Sequence, residues 1–154
     1  MIARIIPAAC AIAMSIGLGS PALAQPTVDL KGDVKVIHSV TENGTTRETY
    51  TDPDRVLPGD RLVFTTRYTN NGADAVEDFV VTNPLPGPVK LAQNGAFLVS
   101  IDGGRTFGPL ASFKVDSEDG KRAAELGDVT HVQWTLARVA PGVSGQVKYF
   151  AEVR

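Results

Sequence analysis

The sequence predicts an all-β chain, an antiparallel β-sandwich of about eight or nine short strands. Three observations carry that prediction. Past the N-terminal leader, apolar residues recur with a period of two, in runs rich in Val, Thr, Phe and Tyr. Gly, Pro, Asn and Asp cluster between these runs, at the roughly eight-to-twelve-residue spacing of sandwich turns. Helical periodicity is nearly absent, and its one candidate, Gly120 to Leu126, is too short for more than a turn or two.

The first 24 residues stand apart. Met1 to Ala24 carries a single charge, Arg4, followed by an apolar stretch and a small-x-small site at Ala22-Leu23-Ala24. This pattern predicts a secretory signal, too short and wrongly flanked for a membrane span. Cleavage would leave a chain that starts at Gln25; removing 24 of the 154 residues leaves 130, enough for one domain with one core. The only cysteine, Cys10, lies inside the leader and ahead of most of its apolar region, so the remaining chain has no disulfide to staple it. A cysteine-free exported domain points to a bacterial periplasm, cell surface or exterior.

Each strand has its own signal. Val34 to Thr41 alternates with Val34, Val36, His38 and Val40 on one face. Asn43-Gly44 supplies the positive φ angles of a type I′ turn, and Thr45 to Thr51 returns. Asp52-Pro53-Asp54 breaks that strand. Arg61 to Asn70 is the clearest run, with Leu62, Phe64, Thr66 and Tyr68 on one face. Asn70-Asn71-Gly72 then reads as a turn that returns the chain through Val76 to Asn83. Pro84, Pro86 and Pro88 cannot donate to a ladder, which makes that stretch an exposed connection or an edge. Ala96 to Ile101 and Ala111 to Val115 flank a further expected hairpin. Asp116 to Asp128 reads as a polar, acidic, mobile loop. Val129 to Leu136 and Gln146 to Val153 close the fold across Ala140-Pro141-Gly142, and Trp134 is expected to pack between the sheets.

With the leader's arginine removed, 14 basic residues face 17 acidic ones, a net charge of −3, scattered and mixed in sign. No basic stripe exists for nucleic acid or anionic lipid, and no later run is long enough to span a membrane.

Two segments resemble a known family. Pro58-Gly59-Asp60, the strand Arg61 to Asn70, Asn71-Gly72 and Val80-Val81-Thr82-Asn83-Pro84-Leu85-Pro86 are similar to domain of unknown function eleven, the conserved repeat domain of bacterial and archaeal surface proteins. Val132 to Val153 is similar to that family's closing strands, so the resemblance covers about Arg55 to Arg154. Asn83 stands where the family usually has Asp, and Asp116 to Asp128 looks like an insertion. The resemblance implies an Ig-like sandwich at the cell surface and no catalytic residues.

Few constellations suggest chemistry. Ser100, Asp102, Gly104, Thr106 and Phe107 match an Asp-box pattern, which resembles the repeated hairpins of sialidase-type propellers. Its mechanics are those of a structural turn: the carboxylate accepts bonds across the loop, Gly allows positive φ, and the aromatic plugs the base. A propeller does not fit in 130 residues. Beyond the leader the histidines are His38, on an apolar face, and His131, on the face opposite Val132 and Trp134; without cysteine they make no zinc pattern. Asp116, Glu118, Asp119, Glu125 and Asp128 gather carboxylates without the spacing of an EF-hand, which reads as a solvated acidic loop.

No cofactor and no catalytic residue are therefore expected. The leading expectation is an exported, non-enzymatic module of envelope structure or adhesion, whose partner is itself or another envelope protein. A filament subunit assembling by β-strand addition through Gln25 to Thr41 is the first alternative. A glycan-binding protein is the second, disfavoured by the few aromatics: one Trp, three Tyr and six Phe.

Overall fold

Strict alternation in the C-terminal strand sets the inside of the molecule. In the computed structural model, which describes residues 28–154, Val147, Tyr149, Ala151 and Val153 are all buried, while Lys148 is exposed and Phe150 and Glu152 are half-buried. Among the described residues ten strands form, one or two more than expected: β1 (Val28–Glu42), β2 (Thr45–Thr51), β3 (Arg61–Asn70), β4 (Val76–Pro84), β5 (Val89–Leu91), β6 (Leu98–Ser100), β7 (Lys114–Ser117), β8 (Gly120–Ala123), β9 (His131–Val139) and β10 (Ser144–Val153). Short 3-10 turns at Leu110–Ser112 and Leu126–Asp128 are the only helical elements among the described residues. The leader Met1–Ala24, with Cys10, and the expected start at Gln25 lie outside the described residues.

The strands build an antiparallel β-sandwich. One sheet has the order β2-β1-β3-β10-β5, the other β4-β9-β6, and β7-β8 forms a separate hairpin. Between the layers lie Val36, Leu62, Leu91, Tyr149 and Ala151 from the first sheet and Val99 and Val132 from the second. Tyr149 stacks on its cross-strand neighbour Phe64 at 4.8 Å between centroids and meets Trp134 at 6.4 Å. Trp134 is half-buried, edge-on to Phe97 at 5.3 Å, so it packs at the margin of the core rather than at its centre. The ring at the centre is Tyr149, whose hydroxyl donates to the Pro84 carbonyl at 3.1 Å and whose burial pushes its phenol pKa up.

The turn at Asn43-Gly44 forms as expected, with φ of 51° and 78° between the ends of β1 and β2. That hairpin projects past the sandwich: from His38 to Thr51 every residue is exposed. His38 is therefore a surface residue at an edge, bonded to the Thr51 hydroxyl at 3.0 Å, and Val40 is exposed with it.

Three local expectations change. Asn70-Asn71-Gly72 is not a hairpin, because β3 pairs with β1 and β10 while β4 pairs with β9 in the other sheet. Neither Asn71 nor Gly72 takes positive φ. The chain crosses between layers there, held by Asn70, which is fully buried. Its Nδ2 donates to the carbonyls of Asp74 and Val139, each at 2.8 Å, and its Oδ1 accepts the Gly72 amide at 2.9 Å. Next, Ala96–Ile101 and Ala111–Val115 do not pair with each other: β6 joins β9, and β7 joins β8. Last, Asp116–Asp128 is an ordered hairpin followed by a 3-10 turn, and the proposed helix at Gly120–Leu126 begins as β8. Gly120 at φ 113° turns that hairpin, and Ser117 Oγ donates to its carbonyl at 2.8 Å.

Asn70→Ala leaves the buried Val139 carbonyl, the Asp74 carbonyl and the Gly72 amide without their side-chain partner, so urea unfolding should show a loss of about 2–3 kcal/mol. Tyr149→Phe keeps the stack and loses one hydrogen bond, a cost of about 1 kcal/mol. If the two variants ranked the other way, the crossing would not depend on Asn70.

Candidate functional site

The densest polar cluster forms where β6 ends. Ser100 is the last residue of β6, paired with His131 at the start of β9, and it is completely buried. A buried hydroxyl must be satisfied. Ser100 Oγ donates to Asp102 Oδ1 at 2.7 Å and accepts the amides of Gly104 at 2.9 Å and Asp102 at 3.3 Å. Asp102 Oδ1 also accepts the amides of Arg105 and Thr106, both at 3.0 Å. One carboxylate oxygen thus ties together Ser100, Arg105 and Thr106.

Such a carboxylate is strongly favoured in its charged form. The Ser100 hydroxyl first, then the Thr106 amide and hydroxyl, hold the Asp102 carboxyl well below the usual carboxylate range. Gly103 and Gly104 take φ of 78° and 83°, which a side chain would resist. Gly104 has a second constraint, since a Cβ there would stand 3.3 Å from the His131 ring. Phe107 is half-buried, and the next residue, Gly108, bridges back to Val99 with amide–carbonyl bonds of 2.9 and 3.0 Å. All five residues singled out from the sequence, Ser100, Asp102, Gly104, Thr106 and Phe107, therefore fall in one loop.

Thr130 is the participant that sequence reasoning missed. Its hydroxyl accepts the Gly103 amide and donates to the Ser100 carbonyl, each at 3.1 Å, and its own amide donates to the same carbonyl at 2.8 Å. It sits 30 residues from Ser100, so no local motif could have marked it. His131 Nδ1 lies 3.1 Å from the Thr130 hydroxyl and far along the chain from His38, which occupies the projecting hairpin.

The acidic segment also spends its charges locally. Arg122 makes a bidentate pair with Asp128 at 2.7 and 2.8 Å, which lowers the Asp128 pKa to about 2. Lys121 pairs with Asp116 at 3.1 Å, and Asp128 with Glu125 closes a capping box around the 3-10 turn. Among the described residues no three His, Cys, Asp or Glu side chains converge as a metal site would require, and no helix is long and apolar enough to cross a membrane.

Among the grooves at the sandwich margins, two lie beside the core aromatic rings. One of about 310 Å³ lies between the β1 and β4 edges, lined by Gly32, Val34, Phe64, Thr66, Asn83 and Tyr149. Its polar groups are already engaged: Asn83 Nδ2 donates to the Thr66 hydroxyl at 2.7 Å. The other, about 380 Å³, lies beside Trp134, between the Gln93–Phe97 loop and β10. Neither groove brings together a nucleophile and a base.

Compared with known proteins, the chain matches no family model, no curated protein and no solved structure.

Because the folded pKa of Asp102 is depressed, its contribution to stability is complete above about pH 4, the unfolded value, and is lost as pH falls through the folded one. Asp102→Asn should therefore melt below the wild type at pH 7, and the gap should narrow as the pH drops below about 4. Thermal scans at pH 7 and pH 2–3 check this; a gap independent of pH would place the effect elsewhere than the carboxylate.

Proposed function

We propose that this protein is an exported, non-enzymatic module that serves bacterial envelope structure or adhesion. The observation that carries this reading is where the polar chemistry goes. Ser100, Asp102 and Thr130 form the best-connected cluster, and every contact they make is to a loop or strand of their own chain. Among the described residues, no buried side-chain nitrogen or oxygen is left without a partner to serve a substrate.

Two further features support it. The leader Met1–Ala24 has the charge, apolar run and Ala22-Leu23-Ala24 site of an export signal. The resemblance to domain of unknown function eleven rests in part on Pro58-Gly59-Asp60, and those residues do structural work. Gly59 takes φ 91°, Asp60 Oδ2 accepts the Leu57 amide at 2.7 Å, and the turn pairs with Val153 at the end of β10. β1 starts at the Asn70 end of β3 and β10 finishes at the Arg61 end, so the first and last strands enter and leave at opposite poles. Such a module can carry tension along its length.

The filament alternative meets a cost. Donating Gln25 to Thr41 to a neighbour would break the ladder that Val28–Ile37 makes with the chain's own β3. The glycan alternative would need a cluster of free aromatic faces, whereas Arg61 lies over the Phe150 ring at 6.0 Å and the exposed Tyr50 stands in the projecting hairpin with its hydroxyl bonded to Glu48.

Fractionation of a bacterium expressing the full chain tests the reading. The expected outcome is protein outside the cytoplasm with Gln25 as its first residue by mass spectrometry. An intact chain retained in the cytoplasm would refute export, and with it the envelope role.

A further inference from the structure

β1 is used unevenly along its length. Val28–Ile37 pair with β3, but only Val36–Glu42 have β2 on the other side. Val28 to Lys35 is therefore an open sheet edge. The direction of its backbone groups follows from β3. The Asn70 amide donates to Val143, and the Asn70 carbonyl accepts from Gly142, so both point away from β1. Alternation then turns the N–H and C=O of Val28, Leu30, Gly32 and Val34 outward. The facing edge of the other sheet is blunted, with Glu77 and with Asp78 at φ 48° absent from the β4–β9 register. β1 has no such interruption, and its outer face carries the alternating charges of Asp29, Lys31, Asp33 and Lys35.

Three features of this edge have no cause among the described residues. Leu30 is 51% exposed on the apolar face. Gly32 sits mid-strand without positive φ and with nothing within 4 Å of where a Cβ would stand. A glycine weakens a strand unless another backbone or ligand approaches it. Lys31 stands directly opposite Arg67 in the β1–β3 register, a repulsive cross-strand pair, and among the described residues it has no acidic partner.

We propose that a second copy of this chain pairs antiparallel with this edge about a twofold axis at Gly32. In that register Lys31 faces the second copy's Asp33 and Asp33 faces its Lys31. The paired stretch ends at Leu30 and Val34, because Lys35 is already bonded to Asp52 at 2.5 Å and Val36 is paired with Thr51 of β2. Leu30 faces Val34, and Gly32 faces Gly32. The residues whose amides and carbonyls point outward meet others that do the same, so each such pair exchanges both of its hydrogen bonds. The charges share the outer face, where Asp33 already lies 3.9 Å from Arg67, and Leu30 and Val34 share the inner one. The second copy's Leu30 then lies against Val34 at the mouth of the 310 Å³ groove beside Gly32.

Neighbouring registers fail on charge. A twofold axis at Lys31 sets Lys31 against Lys31 and Asp29 against Asp33. An axis at Asp33 sets Asp33 against Asp33 and Lys31 against Lys35. A one-residue slip would put the charges on the apolar face. The pairing is isologous, so it closes as a dimer and does not propagate into a fibre. It is independent of the envelope role: export can fail while the dimer stands, and the reverse.

Sedimentation of the purified protein over a concentration series tests it. A monomer–dimer equilibrium is expected. Lys31→Asp and Asp33→Lys should each weaken it by about tenfold or more, and the double exchange should restore it, because both facing pairs are rebuilt with reversed sign. Lys31→Asp also removes the repulsion from Arg67, so it should melt at or above the wild-type temperature; its loss of dimer is then not a loss of fold. A monomer at every concentration would overturn the proposal. So would a dimer indifferent to the single exchanges, or a double exchange no better than the singles.

Discussion

The sandwich depends on how one buried amide joins its two layers. Asn70 ends β3 in the first sheet, and its Nδ2 bonds to Val139 at the end of β9 in the second. Its backbone amide and carbonyl meanwhile bond to Val143 and Gly142, in the connection from β9 to β10. Both chain crossings at that pole, β3 to β4 and β9 to β10, therefore converge on one residue. Hydrophobic burial would drive the sheets together in many relative positions, since it is non-directional. A fully satisfied amide in a dry place selects one of them.

The same logic recurs through the core at smaller scale. Tyr149 in the first sheet bonds to the Pro84 carbonyl at the end of β4, and Thr66 accepts from Asn83. Each tie spans the layers, and each is local to a place where aliphatic packing gives way to a polar group. Around them Val81, Val99, Val132 and Ala151 are completely buried and supply apolar contact without direction. The Asp102 turn does comparable work at the opposite margin. By gripping Ser100 and Thr130 it clamps the end of β6 to the entry of β9.

These ties leave the sheet edges as the free chemistry of the molecule. The β4 edge is interrupted by Asp78, and β10 has the Gln93–Phe97 loop beside it. In the first sheet β2 is the outer edge of the projecting hairpin, and the stretch of β1 beyond it, Val28 to Lys35, has a charge sequence that is complementary to itself when reversed. Among the described residues every buried side-chain nitrogen and oxygen is engaged, which leaves the backbone of this edge as the place where the proposed second copy would pair.

Much of the fold was legible because it is local. The alternation of β3 and β10, the Asn43-Gly44 turn, the breaks at proline and the Ser100–Phe107 loop all follow from residues close in sequence. Each needs only the period of two, a positive φ or a short hydrogen-bond reach. Pairing across distance was not legible. Asn70-Asn71-Gly72 carries the signal of a hairpin, yet the Asn70 side chain turned it into a crossing because Val139, 69 residues away, offers a buried carbonyl. Trp134 had the size for the centre, but Tyr149 took it because its hydroxyl reaches Pro84. The sequence alone determined strand and turn pattern, which depend on neighbours along the chain. Only the tertiary structure decided which strands share a sheet, which ring fills the core and which edge stays open, since those depend on partners that burial brings together.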